Sequence, residues 1–276
     1  MPRPSRCLRP ALHLILTCLV CGSLALAAPA PAGAASADPL VVLQKRVQTI
    51  LGEMDQAVAV AAHRLAEDGL EGPLSSRTLA FLCAGQHLAI DCAAISPKGV
   101  MVVVEPAAYK RFEGSNIAGQ AQVAQVIATA KPVLSAYFHT VEGVGAVDLE
   151  RPVLGADGQY LGSASLIFDP TRLMERALQG LSLPAGAKAF LVQGDGRMLF
   201  NSESAEIGRS LVADQLYAQN QAVKDLTWKI LAEESGSFGP YEFKGHGDLP
   251  TRRMSRWTSV GLHGVRWRVG ISQPAN

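Results

Sequence analysis

The sequence has 276 residues, 48% of them hydrophobic and 18% charged, with 25 basic against 24 acidic side chains and a formal net charge of +1. So even a balance gives no electrostatic footing for nucleic acid or an anionic lipid surface, and a chain of this length can bury a core as one large domain or as two small lobes. Beyond the N-terminal segment no run reaches the roughly 18 to 20 uninterrupted apolar residues that a membrane span needs, so the rest of the chain is expected not to cross a membrane.

Arg3, Arg6 and Arg9 form a basic start, and Ala11 to Ala28 is apolar apart from His13, Thr17 and Ser23. Ala25-Leu26-Ala27, Ala32-Gly33-Ala34 and Ala35-Ser36-Ala37 then offer the small-residue pattern that a signal peptidase reads. Residues 1–37 are therefore read as an export signal, with the periplasm or the extracellular space as destination. A retained signal anchor is the alternative. Cleavage would remove three arginines and turn the charge of +1 into −2. It would also remove Cys7, Cys18 and Cys21, leaving Cys83 and Cys92 in a compartment that tolerates disulfides. A Cys83–Cys92 bridge is expected, with two buried thiols as the alternative. Two cysteines do not complete a tetrahedral zinc shell, and neither a metal nor a cofactor is expected.

From Pro39 to Asp68 the apolar residues Leu43, Val47, Ile50, Met54, Val58, Ala61 and Leu65 recur at steps of three and four, which predicts one long amphipathic helix. Asp38-Pro39 supplies a cap and first turn, and Gly69 a stop. A shorter helix is predicted over Ser76–Ala84. Ile90–Ser96 and Val100–Glu105 read as a hairpin around Pro97-Lys98-Gly99. Gln120–Ala130 reads as a helix, Val133–His139, Ala146–Val153 and Tyr160–Phe168 as strands, and Thr171–Gln179 as another helix. The pattern then recurs: a hairpin of Ala189–Gln193 and Arg197–Asn201, a helical stretch Ser210–Glu234, and strands at Ser237–Lys244, Arg252–Val260 and Val265–Ile271. Lys98-Gly99 followed by Gly114-Ser115-Asn116-Ile117 parallels Asp195-Gly196 followed by Gly208-Arg209-Ser210-Leu211. Each half reads as a hairpin, a helix-rich crossing and a meander, so the fold class is α+β with two similar lobes behind a long helix.

In this order, Val104-Glu105-Pro106, Gly114-Ser115-Asn116-Ile117, Lys131-Pro132-Val133-Leu134-Ser135 and the run from Pro152-Val153 through Asp157-Gly158 to Phe168-Asp169 resemble the double-Cache family. These are the extracytoplasmic PAS-like sensor domains of bacterial chemoreceptors and histidine kinases. Gly194-Asp195-Gly196, Glu206-Ile207-Gly208 and Trp257-Thr258 through Trp267 extend the resemblance to residues 40–272. It implies a helical stalk over 38–84, a membrane-distal-type ligand lobe over 85–180 and a second Cache lobe over 181–276, each lobe an antiparallel sheet flanked by helices. Amino-acid-binding members carry an Arg-x-aromatic-aromatic run where this chain has Gln120-Ala121-Gln122-Val123. They also carry an amine-binding Asp where it has His139. What remains for the first-lobe pocket is a polar set: Tyr109, Arg111, Gln120, Gln122, Tyr137, His139, Glu142 and Asp148. A phenol, an imidazole, amides and Arg111 together point to a small polar metabolite such as an organic acid.

No G-x-S-x-G elbow, P-loop or H-E-x-x-H helix is present, and the histidines His63, His87, His139, His246 and His263 are scattered. Asp148 and Glu150 share a strand face, as a paired acid and base would, but on an exposed strand such spacing is routine. Trp228, Trp257 and Trp267 read as core or lobe-packing residues. The expectation is a non-enzymatic sensor module without its own output domain, passing ligand occupancy to a membrane receptor or kinase. One alternative is a ligand-free interaction module that dimerises through helix 39–68. The other is a secreted hydrolase working through His139 and Asp148.

Overall fold

The computed structural model describes residues 37–218, 220–244 and 250–275. The predicted export signal up to Ser36, and His246, lie outside the described residues.

Helix α1 (Pro39–Asp68) starts where Asp38 accepts the Leu40 N–H at 3.0 Å and ends at Gly69, whose φ of 87° favours glycine. Its predicted stripe is buried along the whole length. Helix α2 (Pro73–Gly85) packs on α1 and is joined by the Cys83–Cys92 disulfide, Cα atoms 5.8 Å apart, to strand β1 (Ala89–Ile95). Strand β2 (Met101–Glu105), helix α3 (Ala121–Thr129), the short strands β3 (Val133–Leu134) and β4 (Phe138–His139), and the long strands β5 (Gly145–Leu154) and β6 (Tyr160–Phe168) complete the first lobe. Its antiparallel sheet runs β2-β1-β6-β5-β3, with β4 also on β5.

After helix α4 (Pro170–Leu178) come β7 (Lys188–Val192), β8 (Met198–Asn201), α5 (Gln215–Ala218), α6 (Gln221–Ala232), β9 (Gly236–Phe243), β10 (Thr251–Val260) and β11 (Trp267–Pro274). The second sheet runs β8-β7-β11-β10-β9, the same order of hairpin and meander as the first. The α+β class with two antiparallel sheets behind a long helix thus holds.

One hydrophobic core joins the lobes, because α1 lies against both. Leu43, Val47, Leu51 and Met54 meet Leu149 and Leu166 of the first sheet and Leu191, Trp267 and Val269 of the second in a single buried cluster. The helix predicted as a stalk is therefore a strut packed across both lobes. Polar ties reinforce it. Gln48 exchanges hydrogen bonds of 3.0 and 3.1 Å with the backbone of Gly261. Arg46 donates to the carbonyls of Ala177 and Gln179 at the end of α4, at 3.0 and 2.8 Å. Asp55 accepts both Nε and Nη2 of Arg151 on β5, at 2.8 and 2.6 Å, and lies 2.8 Å from Nε2 of His263 in the β10–β11 turn.

Three local expectations give way. The strand predicted over Val133–His139 is broken at its centre, because the Ser135 hydroxyl replaces a ladder carbonyl and accepts the Asp148 N–H at 2.8 Å. The helical stretch Ser210–Glu234 divides because Asn220 caps a fresh helix, accepting the Val223 N–H at 3.2 Å. Trp257 and Trp267 are buried, but Trp228 is 61% exposed: α6 buries Val223, Leu226, Thr227 and Ile230, and Trp228 falls off that stripe.

Burial alone would raise the Asp55 carboxyl, but the hydrogen bonds from Arg151 and His263 outweigh it and hold it below the usual aspartate range. Its contribution is therefore present above the unfolded pKa and lost as pH falls through the lower folded value. Asp55→Ala leaves Arg151 without its partner and should cost about 2 kcal/mol. Calorimetry should show Tm falling by roughly 4–8 °C. Lys229→Ala, which removes a solvent-exposed pair with Glu233, should change it little. Equal effects of the two would refute the strut as the lobes' tie.

Candidate ligand site in the first lobe

Strand alternation sorts the first sheet into two faces. Cys92 and Ala94, Val147 and Leu149, and Ala164 and Leu166 enter the core beside α1. The opposite face carries Asp91 on β1, Asp148 and Glu150 on β5, and Ser163 and Ser165 on β6, all no more than 2% exposed. Register sets them side by side. Asp148 and Asp91 flank Ile167 from either neighbour, and Glu150 stands opposite Ser165.

Helix α3 covers this face. Gln122 bonds to Gln120 Oε1 at 2.9 Å and reaches the Asp148 carboxyl, which also accepts the Ser165 hydroxyl at 2.7 Å. The Ser163 hydroxyl donates to Glu150. From the turn between β4 and β5, Glu142 folds inward beside Asp91 with both oxygens buried. Neither oxygen of Asp91 or of Glu142 finds a donor, nor does Glu150 Oε2. Two carboxylates are acceptors only, so the Asp91–Glu142 pair can hydrogen-bond only when one of them holds a proton.

Among the described residues no lysine, arginine or histidine compensates the cluster. Burial, then the charges of Glu142 and Asp148, pushes Asp91 up to about 8. Burial also pushes Asp148 up to about 7 against hydrogen bonds from Ser165, Gln122 and the Leu166 N–H. Burial and the Asp148 charge push Glu150 up to about 8. The carboxyls are not disposed around one metal ion, and among the described residues no three His, Cys, Asp or Glu side chains are.

Of the predicted set, Gln122, Glu142 and Asp148 meet in this cluster. Gln120, Gln122 and His139 line an open cleft between α3 and the Val133–His139 segment, which Ser135 and Val265 of the second lobe also line. Gln122 and Ser135 thus stand between the cleft and Asp148. Tyr137 is not in the cleft. Its ring packs on the main core with Arg197 over its face at 5.8 Å, and it lies so close to Gly145 that a Cβ there would strike the hydroxyl. The Tyr137 ring meets His139 edge-on at 6.3 Å.

Tyr109 joins an apolar wall with Phe112, Ile95 and Val104. Arg111, expected to grip an anion, is exposed, bonds to the Ala108 carbonyl at 3.2 Å and lies over Phe112. The strand carrying Asp148 and Glu150 is buried, not exposed, because α3 and Glu142 cover it. Asp91, Ser163 and Ser165 are the residues that sequence reasoning missed, and Glu150, noticed beside Asp148, was set aside as solvent-facing. Their signal was an acid or serine at every second place of otherwise apolar strands.

An antiparallel lobe pair behind a long helix is the fold that this chain shares with solved ligand-binding domains of bacterial chemoreceptors. Residues 49–170 match the family model of the HK/GC/Chemotaxis protein-like sensor domain. An extracellular ligand-binding receptor from Desulfohalobium retbaense superposes with TM-score 0.73 over 85% of this chain at 28% identity. This chain spans 39% of that receptor's length. The ligand-binding domain of the Pseudomonas fluorescens chemoreceptor CtaA, in complex with L-isoleucine, gives TM-score 0.61 at 18% identity, covering 85% of this chain and 88% of that one. The ligand-binding domain of the Pseudomonas aeruginosa amino acid chemoreceptor PctB, with L-Gln, gives 0.62 at 20% identity, covering 86% and 88%. No curated protein sequence matches the chain.

The raised carboxyls fix a sign for pH. A group protonated in the folded state and ionised in the unfolded one contributes stability that is full below the unfolded pKa, near 4, and is lost as pH rises towards the folded value. Tm should therefore fall between pH 5 and pH 8. Asp91→Asn, an uncharged isostere, should flatten that slope and gain on the order of 1–2 kcal/mol at pH 8. An unchanged slope in the variant would remove Asp91 from the titrating group.

Proposed function

We propose that the chain is an exported sensor module whose first lobe binds a small organic cation carrying an ammonium group. One observation carries this reading: four carboxyls are buried together with no basic side chain among the described residues to balance them. An ammonium offers two or three donors to acceptors that have none, and brings the positive charge that protons otherwise supply. The organic acid expected from the sequence has no such support, since it would enter among like charges and Arg111 points elsewhere. An α-amino acid could place its ammonium here, but its carboxylate would lack a cation. The cleft lined by Gln120, Gln122 and His139 is the route of entry, with Gln122 and Ser135 as its inner wall.

On this reading the signal leaves through α1, which packs on the back of β5 and β6 and on β10 and β11. A membrane receptor or kinase would receive it, and residues 1–37 would direct export. Among the described residues no helix is long and apolar enough to cross a membrane. Hydrolysis has less support: His139 is exposed and makes no contact with Asp148, so the acid lacks the base that the alternative requires.

A thermal-shift and calorimetry series with putrescine, ethanolamine and cadaverine, against malate and glutamate, tests the proposal. An amine at a hundredfold excess over its Kd should add about 2.7 kcal/mol. Binding should release protons and tighten from pH 6 to pH 8, and Asp148→Asn should weaken it at least roughly tenfold. Binding of malate in preference to every amine would sink the reading.

A further inference from the structure

The second lobe has a cavity of its own on the face of its sheet turned away from α1. Strand alternation sends Ala189 and Leu191 of β7 into the main core and Phe190 and Val192 to the other side, where α5, α6 and the turn Ser204–Glu206 close over them. Close packing there is incomplete: about 610 Å³ of free space, its mouth included, remains among the side chains. Phe190, Met198, Leu211, Leu226, Ile230 and Phe243 wall it. The enclosed part amounts to about 80 Å³, several times what one water needs, so it suits a small molecule and not a drug-sized one.

One end is polar and unsatisfied. Glu206 is 3% exposed and Tyr217 is 1% exposed, and both line the cavity. Glu206 Oε2 accepts Asn201 Nδ2 at 2.8 Å, while Oε1 and the Tyr217 hydroxyl find no partner. Arg253, also lining the cavity, is committed elsewhere: Nε bonds to the Ser272 hydroxyl at 2.9 Å, and Nη2 to the carbonyls of Ser272 and Gly186 at 2.7 and 3.1 Å. Lys188, Arg209 and Arg253 place positive charge around the Glu206 carboxyl, which burial pushes up. The first lobe's deficit of positive charge is therefore not repeated here. The Tyr217 hydroxyl and Glu206 act on one another without closing a hydrogen bond, so what this end can take is a group that bridges them, without further charge.

We propose that this cavity is a second binding site, for a small uncharged molecule with an apolar body and one hydroxyl, the chemistry of a phenol or a short alcohol. The hydroxyl donates to Glu206 Oε1 and accepts from Tyr217, and the body fills the space between the sheet and α6. The site is independent of the amine site, so either can fail without the other.

The test uses the purified protein and 4-ethylphenol, with 4-ethylanisole, which has no donor, as comparison. 4-Ethylphenol should raise Tm saturably and bind at least tenfold more tightly than 4-ethylanisole. Leu226→Trp, which fills the cavity, should abolish the shift. Should that variant not melt cooperatively, Tyr217→Phe serves instead and should weaken binding roughly five- to tenfold, as one neutral hydrogen bond does. An absent or unsaturable shift, equal binding of the anisole, or binding undiminished in a folded variant would overturn the proposal.

Discussion

The carboxylate of Asp55 is where the two lobes meet. It sits on α1, takes both nitrogens of an arginine fork from the first sheet and faces a histidine from the second. Burying it costs solvation, and only because both partners arrive together is the cost offset. The apolar stripe of α1 imposes the same condition on a larger scale. Its leucines and valines are buried only if both sheets lie against the helix, so neither lobe completes its core without the strut. Most of a helix's stability in a protein comes from packing of its apolar face, and α1 has that packing on both sides.

This constraint divides each sheet. The face towards α1 must be apolar, and it is in both lobes. The opposite face is released from that requirement, and there the lobes part company although their strand orders agree. The first lobe puts carboxyls and serines on its free face; the second puts mainly aromatic and aliphatic residues, with the buried Glu206 at one end. The same scaffold thus presents two chemistries, one short of positive charge and one short of a neutral hydrogen-bonding group.

Much of the scaffold was legible because it rests on periodicity. The α1 stripe, its Asp38 cap and the strand Tyr160–Phe168 follow from steps of three, four and two residues that the structure keeps. Boundaries set by side chains were not legible. Ser135 taking the place of a carbonyl and Asn220 restarting a helix are local hydrogen bonds that no apolar pattern encodes. The site was half visible for a related reason. Gln122, Glu142 and Asp148 were found on polarity and position. Asp91 was missed and Glu150 set aside because an acid in a strand reads as solvent-facing until a second layer covers it, and the layer here is supplied by α3 and a turn far along the chain. Arg111 erred the other way, as a charge near the site in sequence that the fold points outward.

The acid cluster also explains why the first lobe need not be an open bowl to bind a ligand. Protons on Asp91, Asp148 and Glu150 remove most of the charge that lies buried under Gln122; without them the face is a buried charge that must open or recruit a cation. On the proposed reading, proton and organic cation would compete for the same acceptors, between β5 and α3. Since β5 also carries Arg151, the residue that holds Asp55, a shift of that strand bears directly on the tie between the lobes. A change confined to a few side chains on the free face therefore has a mechanical route to the far lobe through one ion pair and the helix that carries it.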